Sequence, residues 1–217
     1  MKLVVYTSFD EGADNVTKVW TECEHSVRAW CDRMGATLVN LPKRHFQPQW
    51  VIFDAFRRSI EDGVDRAAWI DCDILVQEDA PDIFADLPDR HYYCQPDPVN
   101  RIHPTMRRNW RKFGAINPRP YVISGLVSWS PRHVESLVSW FDAELERENM
   151  RFGKKHGDQE LLTVALQETE THHCYYPPHY HKMSKWVKNN TPFMHAAGSA
   201  KPRKIRRFKS IIKRRKR

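Results

Sequence analysis

The feature that most constrains this 217-residue chain is a short apolar run carrying two acids one residue apart. It reads Ala67-Ala68-Trp69-Ile70-Asp71-Cys72-Asp73-Ile74-Leu75-Val76 and is closed by Gln77-Glu78-Asp79 and then Pro81. A run rich in aromatic and β-branched residues and bounded by polar turn-formers predicts a buried strand. On an extended backbone Asp71 and Asp73 point to the same side, because side chains alternate with a period of two. Two carboxylates held together there repel each other and are costly to desolvate. A divalent cation relieves both problems, and oxygen ligands suit Mg²⁺ or Mn²⁺. The plainer alternative is a strand that ends in an exposed acidic turn.

Composition narrows the class. Hydrophobic residues make up 41% and charged residues 29%, as in a globular protein with one core. No apolar run is long enough to cross a bilayer as a helix. Lys2 is followed directly by Leu3-Val4-Val5-Tyr6, which reads as a core strand rather than a secretory leader. The five cysteines are scattered without zinc-ribbon spacing, so reduced thiols in the cytoplasm are expected. The net charge of +8 belongs to the end of the chain. Residues 203–217 hold ten of the 35 basic residues and no acid, which leaves 25 against 27 in the body, a net −2. That basicity concerns partners rather than fold.

Strand and helix signals alternate from the start. Residues 2–9 read as a strand whose closing turn, beginning at Thr7, is a candidate nucleotide contact, because α/β sheets bind ligands beyond their strands' carboxyl ends. That turn carries neither a G-x-G-x-x-G nor a P-loop pattern. Residues 15–34 read as a helix, 37–41 as a strand and 50–61 as a second helix. Arg57 and Arg58 either complement that helix's dipole or reach a phosphate or donor sugar. A short helix over 82–87 and a strand over 91–94 follow. Residues 95–120, with five prolines and six Lys/Arg, read as a long functional loop or a solvated one.

Residues 121–129 return to strand character with Ser124-Gly125 inside it, and glycine in a strand often marks close approach of a ligand. Pro131 opens an amphipathic helix. Gly157-Asp158-Gln159-Glu160 precedes another, with Asp158 as a plain N-cap or a functional acid. Residues 172–181 hold four histidines and Cys174. Their spacing matches no zinc template, so surface or loop histidines are the expected state. His195, Gly198 and Lys201 then recur at intervals of three. Imidazole can ligate Mn²⁺, glycine admits a phosphate, and lysine supplies a point charge.

Together these blocks resemble the GT-A-fold glycosyltransferases, in particular the family of glycogenin, galactinol synthase and lipopolysaccharide galactosyltransferases (family eight). Trp69-Ile70-Asp71-Cys72-Asp73 is similar to that family's Asp-X-Asp strand. Gly157-Asp158-Gln159-Glu160-Leu161-Leu162 is similar to its Asp-Gln-Asp helix start, and His195-X-X-Gly198-X-X-Lys201-Pro202 to its H-x-x-G-x-x-K-P motif. The resemblance implies a single α/β nucleotide-diphospho-sugar transferase domain over 1–202, a Rossmann-like mixed sheet flanked by helices, followed by a basic tail over 203–217. It implies that Asp71, Asp73 and His195 hold Mn²⁺ (or Mg²⁺), with Gly198 and Lys201 on the diphosphate. Asp158 and Gln159 would act at the donor sugar, with Thr7, Arg57, Ser124 and Gly125 as further donor contacts. Where many relatives carry Asn before the mid-strand small residue and glycine, this chain has Ile123, which bears on the donor sugar. Many relatives also follow Lys-Pro with Trp, where this chain has Arg203.

The expected activity is metal-dependent transfer from a nucleotide sugar, a UDP-sugar with retention, to a glycan or lipid-linked acceptor. On a helix, Ile205, Phe208, Ile211 and Ile212 of the tail fall on one side among arginines and lysines. That suits the anionic inner face of a membrane. Nucleic acid is the rival partner for such an arm. A sugar nucleotidyltransferase and a non-catalytic binding protein complete the alternatives.

Overall fold

A computed structural model describes residues 1–9, 14–42, 50–89, 91–96, 121–147, 158–183, 187–188, 190–196 and 201–215. The long loop is therefore outside the described residues from position 97 onward, as is Gly198. The apolar run at 67–76 is not one strand. It divides into β3 (Arg66–Ile70) and β4 (Ile74–Val76), which belong to different sheets, with a turn at Asp71-Cys72-Asp73 between them. The carboxylates are thus brought together by a turn, in which the Ile74 N–H donates to the Asp71 carbonyl at 3.1 Å, and not by strand alternation. The run is apolar throughout because both pieces are buried on both faces, which hides the break from a hydrophobicity pattern.

The larger sheet is built from β1 (Leu3–Thr7), β2 (Thr37–Asn40), β3, β5 (Tyr92–Pro96), β6 (Val122–Trp129) and β7 (His173–Tyr175), in the order β2-β1-β3-β6-β5-β7. β1 is parallel to β2 and β3, β6 is antiparallel to β3 and β5, and β7 is parallel to β5. The smaller sheet, β4-β9-β8, joins β4 to β8 (His181–Met183) and β9 (Phe193–His195).

Alternation along the strands feeds two cores. Val4, Tyr6, Ala67 and Trp69 face one side, where they meet α2 (Val51–Glu61), α4 (Glu135–Leu145) and α5 (Asp158–Glu168). Leu3, Val5, Ala68 and Ile70 face the other, beneath α1 (Asp14–Met34) and the short α3 (Ile83–Asp86). Gly35, at φ +65°, ends α1 in a left-handed turn that glycine accepts without strain. Asp82 caps α3 by accepting from the Phe84 and Ala85 N–H groups. Pro131 begins a single 3₁₀ turn (Pro131–His133), and the α-helix expected there starts only at Glu135.

The basic end of the chain forms α6 (Lys201–Arg215). Its apolar residues do not project outward. Ile205, Phe208 and Ile211 are buried against Cys23 of α1, Leu75 of β4 and Met194 of β9, and Ile212 is half-buried beside them. The apolar stripe expected to enter a lipid surface is therefore part of the core, and only the basic face (Arg203, Arg206, Arg207, Lys213 and Arg214 among it) is exposed. Phe208→Ala should lower unfolding free energy by about 3–5 kcal/mol, the usual cost of emptying a buried aromatic site. Chemical denaturation checks this; a change below about 1 kcal/mol would mean that the helix does not pack as described.

Candidate metal and diphosphate site

The site forms where β3 leaves the large sheet. The Asp71 N–H donates to the Gly125 carbonyl at 2.8 Å, which holds the start of the turn against β6. The Asp73 carbonyl accepts from the Ala196 N–H at 3.0 Å, and Ile74 pairs with His195 across the small sheet. One turn is thereby pinned from two sheets. His195 Nε2 lies 3.1 Å from Asp73 Oδ1 and 3.4 Å from Asp71 Oδ2, and Lys201 Nζ lies 2.8 Å from Asp73 Oδ2. Asp71, Asp73 and His195 each present one ligand atom within 4.8 Å of the others.

Burial sets the electrostatics. Desolvation pushes the Asp71 carboxyl up and the charge of Asp73 adds to that, against His195 and the Trp69 indole N–H, which donates to Asp71 Oδ1 at 2.8 Å. Desolvation also opposes ionisation of Asp73, but His195 and Lys201 outweigh it and hold Asp73 below the usual carboxylate range. The same ion pairs overcome burial at His195 and at Lys201, so both sit above their ordinary values. The cluster is a strongly polarised acid–base group, and a divalent cation would take the place of the proton on His195.

Two residues position His195. At Gly125 an added Cβ would fall 2.6 Å from His195 Cε1, 2.8 Å from its Nδ1 and 3.1 Å from Asp71 Oδ2. Glycine there is a steric requirement of the imidazole, which occupies the volume of the missing side chain. On its other edge, His195 Nδ1 is 3.2 Å from Nε2 of His181, whose rings stack with planes 21° apart. With Nε2 of His195 facing the carboxylates, its Nδ1–H donates to a neutral His181. Burial, followed by the charge of His195, keeps His181 well below its ordinary pKa. His181 was expected among surface or loop histidines; it is 1% exposed and packs behind His195. Nothing in its local sequence signals this, because the contact is made across β8 and β9.

The structure gathers some of the remaining sequence candidates and not others. Thr7 is wholly buried at the end of β1, its carbonyl accepting from the Leu41 N–H, and its hydroxyl has no hydrogen-bond partner among the described residues. Ser124 is buried beside Gly125. Arg57 forms a double ion pair with Asp142 of α4, with Nη1 to Oδ2 at 3.0 Å, and lines a cavity of about 310 Å³ with Val39, Leu41 and Glu61. None of the three clustered ligands lines that cavity. Asp158 begins α5, but its side chain is outside the described residues, and Gln159 is half-buried. Thr163, one turn later, accepts from the Val122 N–H at 3.2 Å, and α5 leads on to β7, which pairs with Tyr92 at the far end of the sheet. The amino end of α5 therefore opens at the same end of the sheet as Asp71.

The residues present suit a hard divalent cation, having two convergent carboxylates and an imidazole whose free nitrogen is already engaged. His181→Ala should weaken Mn²⁺ binding on the order of 10–100-fold. Gly125→Ala should weaken it at least as much while leaving the far-ultraviolet dichroism unchanged. Isothermal titration checks both, and undiminished affinity in Gly125→Ala would refute the packing argument.

No protein-family model matches this sequence, and no curated protein sequence matches it. Solved structures do match. The chain is similar to a glycosyltransferase involved in glycosylation of the major capsid of PBCV-1, with TM-score 0.67 at 10% identity, covering 96% of this chain and 100% of that one. It is similar to WbbM, a bifunctional glycosyltransferase, with TM-score 0.62 at 14% identity, covering 93% of this chain but 46% of that one. It is also similar to the galactosyltransferase LgtC in complex with donor and acceptor sugar analogues, with TM-score 0.53 at 15% identity, covering 97% and 95%. At these identities the likeness establishes the fold, a single α/β domain of the GT-A type, with its mixed sheet between helices.

Proposed function

We propose that this protein is a metal-dependent glycosyltransferase that moves a sugar from a nucleotide-sugar donor, a UDP-sugar, to a glycan or lipid-linked acceptor. One observation carries the reading. In a GT-A fold, Asp71, Asp73, His195 and Lys201 converge at the carboxyl end of a central strand, where α/β sheets bind their ligands. The complex of LgtC with donor and acceptor sugar analogues supports a site for both substrates in a chain of this shape.

Asp71, Asp73 and His195 would hold Mn²⁺ or Mg²⁺, and such an ion supplies positive charge to the phosphates of the leaving nucleotide. Lys201, whose side chain keeps 41% of its surface accessible, adds a second positive charge beside Asp73. Gly198 continues that phosphate contact, and Thr7 and Ser124 hold the donor around the turn. Asp158 and Gln159, at the amino end of α5, would act on the reacting sugar, with retention of configuration. Arg57 serves the donor only by exchanging Asp142 for it. The five cysteines, none of them in a disulfide, suit a reducing compartment, the cytoplasm.

The test is turnover of UDP-, GDP- and dTDP-sugars without acceptor, with and without Mn²⁺. One donor should be hydrolysed slowly and only with metal, and Asp73→Ala and His195→Ala should each lower that rate on the order of 100-fold or more. Absence of both turnover and metal-dependent nucleotide binding would remove the enzyme reading.

The exposed face of α6 supports attachment to an anionic surface by charge alone, since the apolar residues are committed to the core. Each lysine or arginine near such a surface contributes about 1 kcal/mol. Binding to phosphatidylserine vesicles should therefore be clear at low salt and lost near 1 M, where screening shortens to about 3 Å. Arg206→Glu with Arg207→Glu should weaken it. Salt-sensitive DNA binding without vesicle binding would assign the helix to nucleic acid instead.

A further inference from the structure

A second set of metal-ligating side chains meets at the outer edge of the large sheet. β7 is its edge strand, and it pairs with β5 so that Tyr92 lies opposite His173 and Tyr93 opposite Cys174. Extending that register back by one residue places His91 beside His172. Strand alternation then puts His172 and Cys174 on one face of β7, next to His91 on β5's side. The side chains follow that register. One ligand atom from each of His91, His172 and Cys174 lies within 4.8 Å of the other two. The two imidazoles face each other through the same nitrogen, Nδ1 to Nδ1 at 3.0 Å, with ring centroids 4.5 Å apart.

Both Nδ1 lone pairs can turn to one ion when each ring carries its proton on the distal Nε2, so that the metal takes the place of the hydrogen between them. A tetrahedral ion bound at 2.0–2.1 Å by each would separate the nitrogens by about 3.3 Å, close to what is observed. The third ligand is sulfur. Thiolate with two imidazoles selects zinc-type ions over Mg²⁺ and Mn²⁺, whereas the carboxylates of the Asp-Asp-His cluster also suit those harder ions. We infer that His91, His172 and Cys174 form a separate zinc-type site that clips the edge strand β7 to β5. Binding converts the Cys174 thiol to a thiolate and releases its proton to solvent, and the fourth position is filled by water. The edge strand, held to the sheet by three residue pairs, gains a cross-link to β5 that opposes its fraying from the sheet.

Sequence spacing conceals this site, because His91 is 81 residues from His172. The other histidines of that stretch go elsewhere: His173 to the Thr171 carbonyl, His179 against the ring of Tyr180, and His181 to His195.

The inference is tested with the full chain and Co²⁺ as a coloured substitute for zinc. One equivalent should produce a thiolate-to-cobalt charge-transfer band that zinc displaces. Cys174→Ser should abolish the band and His172→Gln, at an exposed position, should weaken it, while Cys72→Ser and Asp73→Asn retain it. Zinc should raise the melting temperature of the parent protein more than that of Cys174→Ser, and the difference reports this site because both proteins keep the Asp71, Asp73 and His195 cluster. No thiolate band, a band that survives Cys174→Ser, or one that disappears in Cys72→Ser would overturn the assignment.

Discussion

The repulsion between Asp71 and Asp73 is the constraint around which this fold is arranged. Two carboxylates cannot stay ionised in a largely enclosed turn without compensating charge. His195 and Lys201 provide that charge, from β9 and from the first turn of α6. Neither is near the acids in sequence, so the turn is stable only when the small sheet and the last helix are docked. The Gly125 carbonyl and the Asp73 carbonyl, each receiving a backbone N–H, tie the same turn to both sheets.

Docking of α6 is what connects the basic end of the chain to the chemistry. Its apolar side fills the gap between α1 and the small sheet, and that packing sets where Lys201 begins the helix. A segment that looks like an appendage by charge is thus a structural wall of the site. Its basic residues are presented outward as a consequence, because the apolar ones have been used inside.

Much of the architecture was legible in the sequence because it follows from local periodicity. The strands at Leu3–Thr7 and Val122–Trp129, the helices at Asp14–Met34 and Val51–Glu61, and the short helix at Ile83–Asp86 all carry their signals within a few residues. The break at Asp71-Cys72-Asp73 does not. An apolar run buried on both faces looks the same whether it crosses one sheet or two. The late start of α4 was hidden in a similar way, since Pro131 suits the first turn of either a 3₁₀ or an α-helix.

Of the site, the chain alone supplied the candidate residues: paired acids after an apolar strand, a histidine, and a lysine six residues on, in an order that resembles known glycosyltransferases. Only the tertiary structure decided how they meet. It placed His195 in the space left by Gly125, set His181 behind it, engaged Arg57 with Asp142, and brought His91 to Cys174. The physical reason is range. Hydrophobic periodicity and motif spacing report on neighbours along the chain, whereas charge compensation and steric fit depend on atoms that only folding brings within a few ångströms.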